Sequence, residues 1–205
     1  MTVVVLGATG RTGRAVVDAA LGRGHLVVAL VRRPGSFDRR SDVAEHVWDG
    51  PGDATALAAA TRGADVVISA LGGASEGPTT VCTQAMATLV PLLESGGPDR
   101  LVAVSAHGVL DSHDRSLFVR AAWSRVGERL RDKETMEQVV SASSLRWTIV
   151  RPVALRDGGP GGTYRTGVDL PVRLWSSVTT SQLADFLLRE AESPRYVHAH
   201  PTVVR

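Results

Sequence analysis

The apolar positions of this chain fall into short unbroken runs, separated by longer stretches in which apolar residues recur every three or four positions. The first run is Val3-Val4-Val5-Leu6; further strands are predicted at 26–31, 46–48, 66–70, 101–104 and 147–150, most of them continuous apolar runs. Unbroken runs, rather than alternating ones, are what strands buried on both faces require. The stretches between them predict helices over 12–23, 54–61, 79–95, 125–143 and 181–192. Gly22-Arg23-Gly24 and Gly96-Gly97-Pro98 supply stop signals at two helix ends, and Asp53 and Thr180 are candidate N-caps. The segment 196–204 reads as an additional edge strand. Strand and helix in repeated alternation predict an α/β fold: a doubly wound parallel sheet (Rossmann fold) in a single domain, 1–205, with right-handed crossovers. Small substrate-side loops are expected at 106–126 and 155–178. Ligands of such sheets lie beyond the carboxyl ends of the strands, so candidate chemistry is sought just after each run.

The segment after the first run is Gly7-Ala8-Thr9-Gly10-Arg11-Thr12-Gly13, and it leads straight into a helical pattern at Ala15, Val16, Ala19 and Ala20. Buried strand, glycine turn and helix start together make a phosphate cradle. Glycine lets the backbone approach a pyrophosphate, and the helix N-terminus points free N–H groups and a positive dipole end at the anion. The spacing is G-x-x-G-x-x-G, and a plain tight turn is the competing reading. Gly7, Thr9, Gly10, Arg11, Thr12 and Gly13 are the expected contacts of a dinucleotide.

The second run ends in Val31-Arg32-Arg33-Pro34. An NAD-binding chain places an acid about 20 residues past the glycines; here two arginines stand instead. A guanidinium can grip a 2′-phosphate that a carboxylate would repel. Arg32 and Arg33, helped by Arg11, therefore predict NADP (NADPH) as cofactor. Asp49 could accept from the adenine amine, or could merely shape a turn with Asp53. Ala70, Leu71 and Gly72 keep the fourth strand end small enough for a cofactor to pass. Ser105, after the fifth run, could stand near the nicotinamide as a hydrogen-bond donor or merely form a turn at the strand end. His107 could hand over a proton or be an ordinary loop residue. Lys133, the chain's sole lysine, could reach the site or form a surface pair with Glu137 one turn on. Two segments look irregular, 107–120 and the glycine-rich 157–167; the second is either slack or a substrate cover.

Composition narrows the class. The charged fraction is 21% and the net charge only +2, with arginines scattered, which gives nucleic-acid binding no support. Cys82 is the only cysteine, so no internal disulfide forms and a reducing, cytoplasmic setting is expected. No apolar stretch approaches the ~20 residues that span a membrane, and no basic-then-apolar leader opens the chain. The histidines show no metal spacing, so no metal is expected. Trp123 and Trp175 could form a partner surface or a substrate wall, which leaves monomer and homodimer open.

Tyr-x-x-x-Lys, a common carbonyl-reducing dyad on this scaffold, is absent: four residues beyond Tyr164 and Tyr196 stand Val168 and His200. The glycine segment, Leu30-Val31-Arg32, 65–72 and Thr148-Ile149-Val150-Arg151-Pro152 together resemble the atypical short-chain dehydrogenase/reductase group, in particular its flavin reductase (biliverdin reductase B) and NmrA-like types. That resemblance implies a bound NADPH whose hydride passes to a flat conjugated acceptor such as a flavin, a quinone or a linear tetrapyrrole. It implies roles for Ser105 and Lys133 in catalysis and for Pro152 and Val153 beside the cofactor. Where the flavin reductase type places a substrate-side histidine, this chain has Ala154. The alternative implied by the NmrA-like type is a non-catalytic NADP(H)-sensing regulator.

Overall fold

A computed structural model describes residues 1–37, 42–73, 79–159 and 161–205. In chain order the elements are β1 (Thr2–Leu6), α1 (Arg11–Gly22), β2 (Leu26–Val31), β3 (Val43–Val47), α2 (Ala54–Thr61), β4 (Val66–Ser69), α3 (Val81–Glu94), β5 (Arg100–Val104), α4 (Leu117–Ser141), β6 (Arg146–Pro152), β7 (Ala154–Arg156), β8 (Arg165–Gly167), β9 (Ser177–Thr179), α5 (Thr180–Glu192) and β10 (Thr202–Val204). Eight strands form one sheet in the order β3-β2-β1-β4-β5-β6-β10-β8, and β7 pairs with β9 in a separate ribbon. Every pair in the large sheet is parallel except β10 with β8. The strand order reverses between β1 and β4, which is where a doubly wound sheet opens its ligand crevice.

The unbroken apolar runs are explained by burial on both faces. Val3 and Val5 belong to a core with Val16, Val17, Leu183 and Leu187, under α1 and α5. Val4 and Leu6 belong to the opposite core with Leu57, Met86, Leu89 and Met136, under α2, α3 and α4. Successive side chains of β1 thus feed two different layers.

Four element expectations need correction. The third strand runs over Val43–Val47, not 46–48; as an edge strand it is half exposed and lacks the apolar signature of its neighbours. The segment at the C-terminus is not an edge strand: β10 lies between β6 and β8, and Thr202–Val204 is fully buried. The fourth helix starts at Leu117, eight residues earlier than its pattern indicates, because Phe118 and Val119 are already buried; a break at Val126 then separates two helical stretches. The N-cap of α5 is Thr179, whose hydroxyl accepts from Gln182 N while the Gln182 side chain accepts from Thr179 N. Asp53 does cap α2, accepting from Ala56 N at 3.0 Å.

Candidate cofactor and acceptor site

The turn after β1 is built from close backbone contacts. Gly7 has φ +73°, and a Cβ there would lie 2.8 Å from the Ala70 carbonyl oxygen. A Cβ on Gly13 would lie 2.1 Å from the Gly7 carbonyl oxygen. The first and last glycines of the segment therefore serve backbone-on-backbone packing, while exposed Gly10 is the N-cap of α1. No side chain caps that N-terminus and no acid stands in the first turn. Its free N–H groups are the donors an anion would take. Thr9 and Thr12 are half-buried beside them, and Thr9 O accepts from Arg14 Nε at 3.2 Å.

Arg32 and Arg33 are exposed just past β2. Their loop is shaped by Glu45, which accepts from Gly35 N at 2.7 Å and Phe37 N at 2.5 Å. Neither arginine has an ion-pair partner among the described residues, whereas Arg11 pairs with Asp157 at 3.2 Å across to the end of β7. Asp49 is exposed after β3, its N–H donating to Asp53 Oδ2 at 3.4 Å. At β4, Ala70 and Leu71 form the wall against Gly7, and Gly72 is open to solvent. Pro152 and Val153 are buried at the end of β6, and Pro152 O accepts from His107 N at 3.0 Å.

Two buried side-chain polar atoms have no partner among the described residues: Ser105 Oγ and Trp48 Nε1. Both follow strands on the carboxyl edge of the sheet, on either side of the strand-order switch. An unmet buried polar atom costs about 1–3 kcal/mol unless a ligand or water satisfies it. A dinucleotide lying across β3, β2, β1, β4 and β5 fits the open N-terminus of α1, the glycine wall and these two orphaned donors.

Lys133 is buried, and its Nζ donates to Leu71 O at 2.8 Å and Val104 O at 2.5 Å. Leu71 lies two residues past β4 and Val104 ends β5, so the ammonium ties together the two strand exits that flank the candidate site. The surface pair with Glu137 does not form, because the Glu137 carboxylate is engaged by Arg151. A lysine so engaged positions the backbone beside Ser105. Lys133→Met is expected to cost about 2–4 kcal/mol by stranding two buried carbonyls, read from the urea midpoint.

His107 is half-buried, edge-on to Phe118, with Nδ1 3.3 Å from Thr202 Oγ1. Burial pushes its pKa below the usual histidine range, with Arg151 adding to the effect and Asp114 and Asp111 opposing it. It is therefore a neutral imidazole at pH 7. Trp123 is anchored, its indole N–H donating to Gly108 O at 2.8 Å and its ring stacked on His113. Trp175 stands apart, 70% exposed.

Asp132 carries a signal the sequence reading missed. From α4 it accepts from Cys82 N and Thr83 N, both at 2.9 Å, and so caps α3 from another helix. A cap supplied from 50 residues away has no local sequence mark. A cavity of about 970 Å³ between α1, α5 and residues 161–166 contains none of the expected cofactor contacts. It lies on a helical face, away from the strand ends.

With this geometry in place, comparison with known proteins defines the class. The chain matches the NAD(P)H-binding family over residues 7–194 and belongs to it. It is similar to the uncharacterized protein YwnB of Bacillus subtilis (strain 168), with 26% identity covering 100% of this chain and 98% of that protein. Among solved structures it is similar to ChuY, an anaerobillin reductase from Escherichia coli O157:H7, with TM-score 0.84, 25% identity and coverage of 100% and 97%. The oxidoreductase YlbE from Lactococcus lactis has the same fold, with TM-score 0.86 at 17% identity and coverage of 99% and 90%. Fold and family define a nicotinamide-nucleotide-binding protein. No helix among the described residues is long and apolar enough to cross a membrane.

Proposed function

We propose that this protein is an NADPH-dependent reductase whose acceptor is a flat conjugated molecule, a flavin or quinone in preference to a linear tetrapyrrole. NADPH held at the carboxyl edge would supply the hydride. The α1 N-terminus and the Gly7–Gly13 backbone bind the pyrophosphate, and Arg32 with Arg33 bind the 2′-phosphate as charge-assisted donors. Asp49 accepts from the adenine, and Ala70, Leu71, Gly72, Pro152 and Val153 line the passage. Ser105 donates to a carbonyl of the acceptor or of the carboxamide. Lys133 keeps the β4 and β5 tips in place, so that orientation supplies a large part of the acceleration. The neutral His107 imidazole leaves the site without a strong general acid, which suits an acceptor that spreads its charge and takes its proton from water. The observation that carries this reading is the Ser105 hydroxyl, buried at the end of β5 without a hydrogen-bond partner among the described residues. The anaerobillin reductase ChuY supports reduction of a conjugated acceptor; Ala154 in place of a histidine argues against the tetrapyrrole itself.

Calorimetry with NADPH and NADH, followed by nicotinamide absorbance with a panel of flavins and quinones, tests it. Arg32→Ala is expected to weaken NADPH about ten- to a hundredfold and leave NADH unchanged, the worth of one or two charge-assisted bonds. Failure of both nucleotides to bind would sink the proposal, and equal binding of both would remove the NADP preference. Tight NADPH binding without turnover across the panel would favour the regulator.

A further inference from the structure

At the far side of the sheet the C-terminal end of β10, the start of β8 and the start of β9 surround a cavity of about 400 Å³. Arg165, Arg173, Arg205, Trp175, Ser176 and Ser177 line it, and no carboxylate side chain does. None of the three guanidinium groups has an ion-pair partner among the described residues. Their backbones are nonetheless held: Arg165 is in register with Val204, Arg205 N donates to Ser177 O at 3.0 Å, and Arg173 N donates to Ser176 Oγ at 2.9 Å. Beside them Trp175 is the most exposed large apolar side chain. Three like charges facing one cavity repel one another until an anion enters.

The cavity opens on the same edge of the sheet as Ser105. β10 runs parallel to β6, and β6 to β5, with Val104 opposite Val150 and Thr202 opposite Arg151. Arg205 therefore lies two strands across and three residues beyond the level of Ser105, about 10 Å in each direction. A planar ring system at Ser105 would need a flexible arm to bring an anion that far. Three guanidinium forks suit a phosphate, with its three oxygens and nearly two negative charges, better than a lone carboxylate.

We propose that this cavity binds the phosphate-ended arm of the acceptor, so that the three arginines select a phosphorylated flavin over the same flavin without phosphate. The inference rests on the reductase reading for the place of the ring system, but its binding readout is separate from turnover. Riboflavin and FMN share one ring system and differ by the phosphate, and their binding to the NADP⁺-saturated protein can be followed by flavin fluorescence. FMN is expected to bind at least about tenfold more tightly than riboflavin, with the difference shrinking as salt is raised. Arg165→Gln with Arg173→Gln, at exposed positions, should bring FMN to the riboflavin level while riboflavin and NADPH affinities and the melting temperature hold. Equal affinities in the parent protein, no FMN binding at millimolar concentration, or an FMN preference that survives the double substitution would each overturn the proposal. FMN binding that depends on the arginines, with neither flavin reduced, would keep the site and sink the reductase reading. Reduction of both flavins with equal affinities would do the reverse.

Discussion

Gly13→Ala is expected to abolish measurable nicotinamide-nucleotide binding in calorimetry, a loss of at least about a hundredfold, and to destabilise the fold by about 2–3 kcal/mol. The added Cβ would sit 2.1 Å from Gly7 O, 2.7 Å from Gly7 C and 2.8 Å from Ala8 Cα. All three are backbone atoms, so no rotamer change relieves the overlap. The turn cannot retreat either, because Gly7 is itself backed against Ala70 O and Leu71 N. The helix must shift away from β1, which moves the free N–H groups out of line with the pyrophosphate. Gly22→Ala, at the last position of the same helix, is the control. A Cβ there meets nothing within 4 Å, so nucleotide binding should be unchanged and stability equal or slightly higher. Full binding by the Gly13→Ala protein would show that the segment is a plain turn.

Glu137→Ala is expected to cost about 3–5 kcal/mol in urea unfolding. Glu137 is fully buried on α4, and Arg151 is 2% exposed on β6. The guanidinium engages both carboxylate oxygens, Nε to Oε1 at 3.1 Å and Nη2 to Oε2 at 2.7 Å, and reaches Asp111 Oδ1 at 2.6 Å. Without Glu137 a buried cation retains only the exposed Asp111. His200 cannot take over Glu137's part, since it lies 3.6 Å from that carboxylate and could add only positive charge. Burial lowers the His200 pKa, Arg151 lowers it further, and Glu137 opposes this without prevailing. Removing both charges, as in Glu137→Leu with Arg151→Met, is expected to cost less than the sum of the single changes, because neither ion is then left stranded. An additive result would mean that the pair is not coupled. Arg151 lies between Val150, whose carbonyl accepts from Ser105 N, and Pro152, whose carbonyl accepts from His107 N. The ion pair therefore holds the strand on which both candidate acceptor-side residues hang.

Nearly all of the central architecture was legible along the chain. Strands β1, β2, β4, β5 and β6 announce themselves as unbroken apolar runs because both of their faces are covered. The edge strand β3 and the late strand β10 are poorly marked, since one is half exposed and the other is only three residues long. The glycine segment was legible because its spacing reflects short-range sterics. Arg32 and Arg33 could be singled out because they stand about 20 residues beyond it, where a cofactor's ribose is expected.

The roles of Lys133, Asp132, Glu137 and Arg151 were not legible in this way. As charged residues on helical or strand positions they read as a reaching side chain, a surface pair or nothing at all. Only packing makes Lys133 a clamp on two strand tips, Asp132 a cap for a helix 50 residues earlier, and Glu137 the partner of Arg151. Nor does any local pattern gather Arg165, Arg173 and Arg205, which meet because β10 enters the sheet between β6 and β8. Backbone geometry and apolar periodicity act over a few residues and are written in the sequence; the pairing of buried charges depends on which distant groups share a low-dielectric interior, and that only the folded arrangement decides.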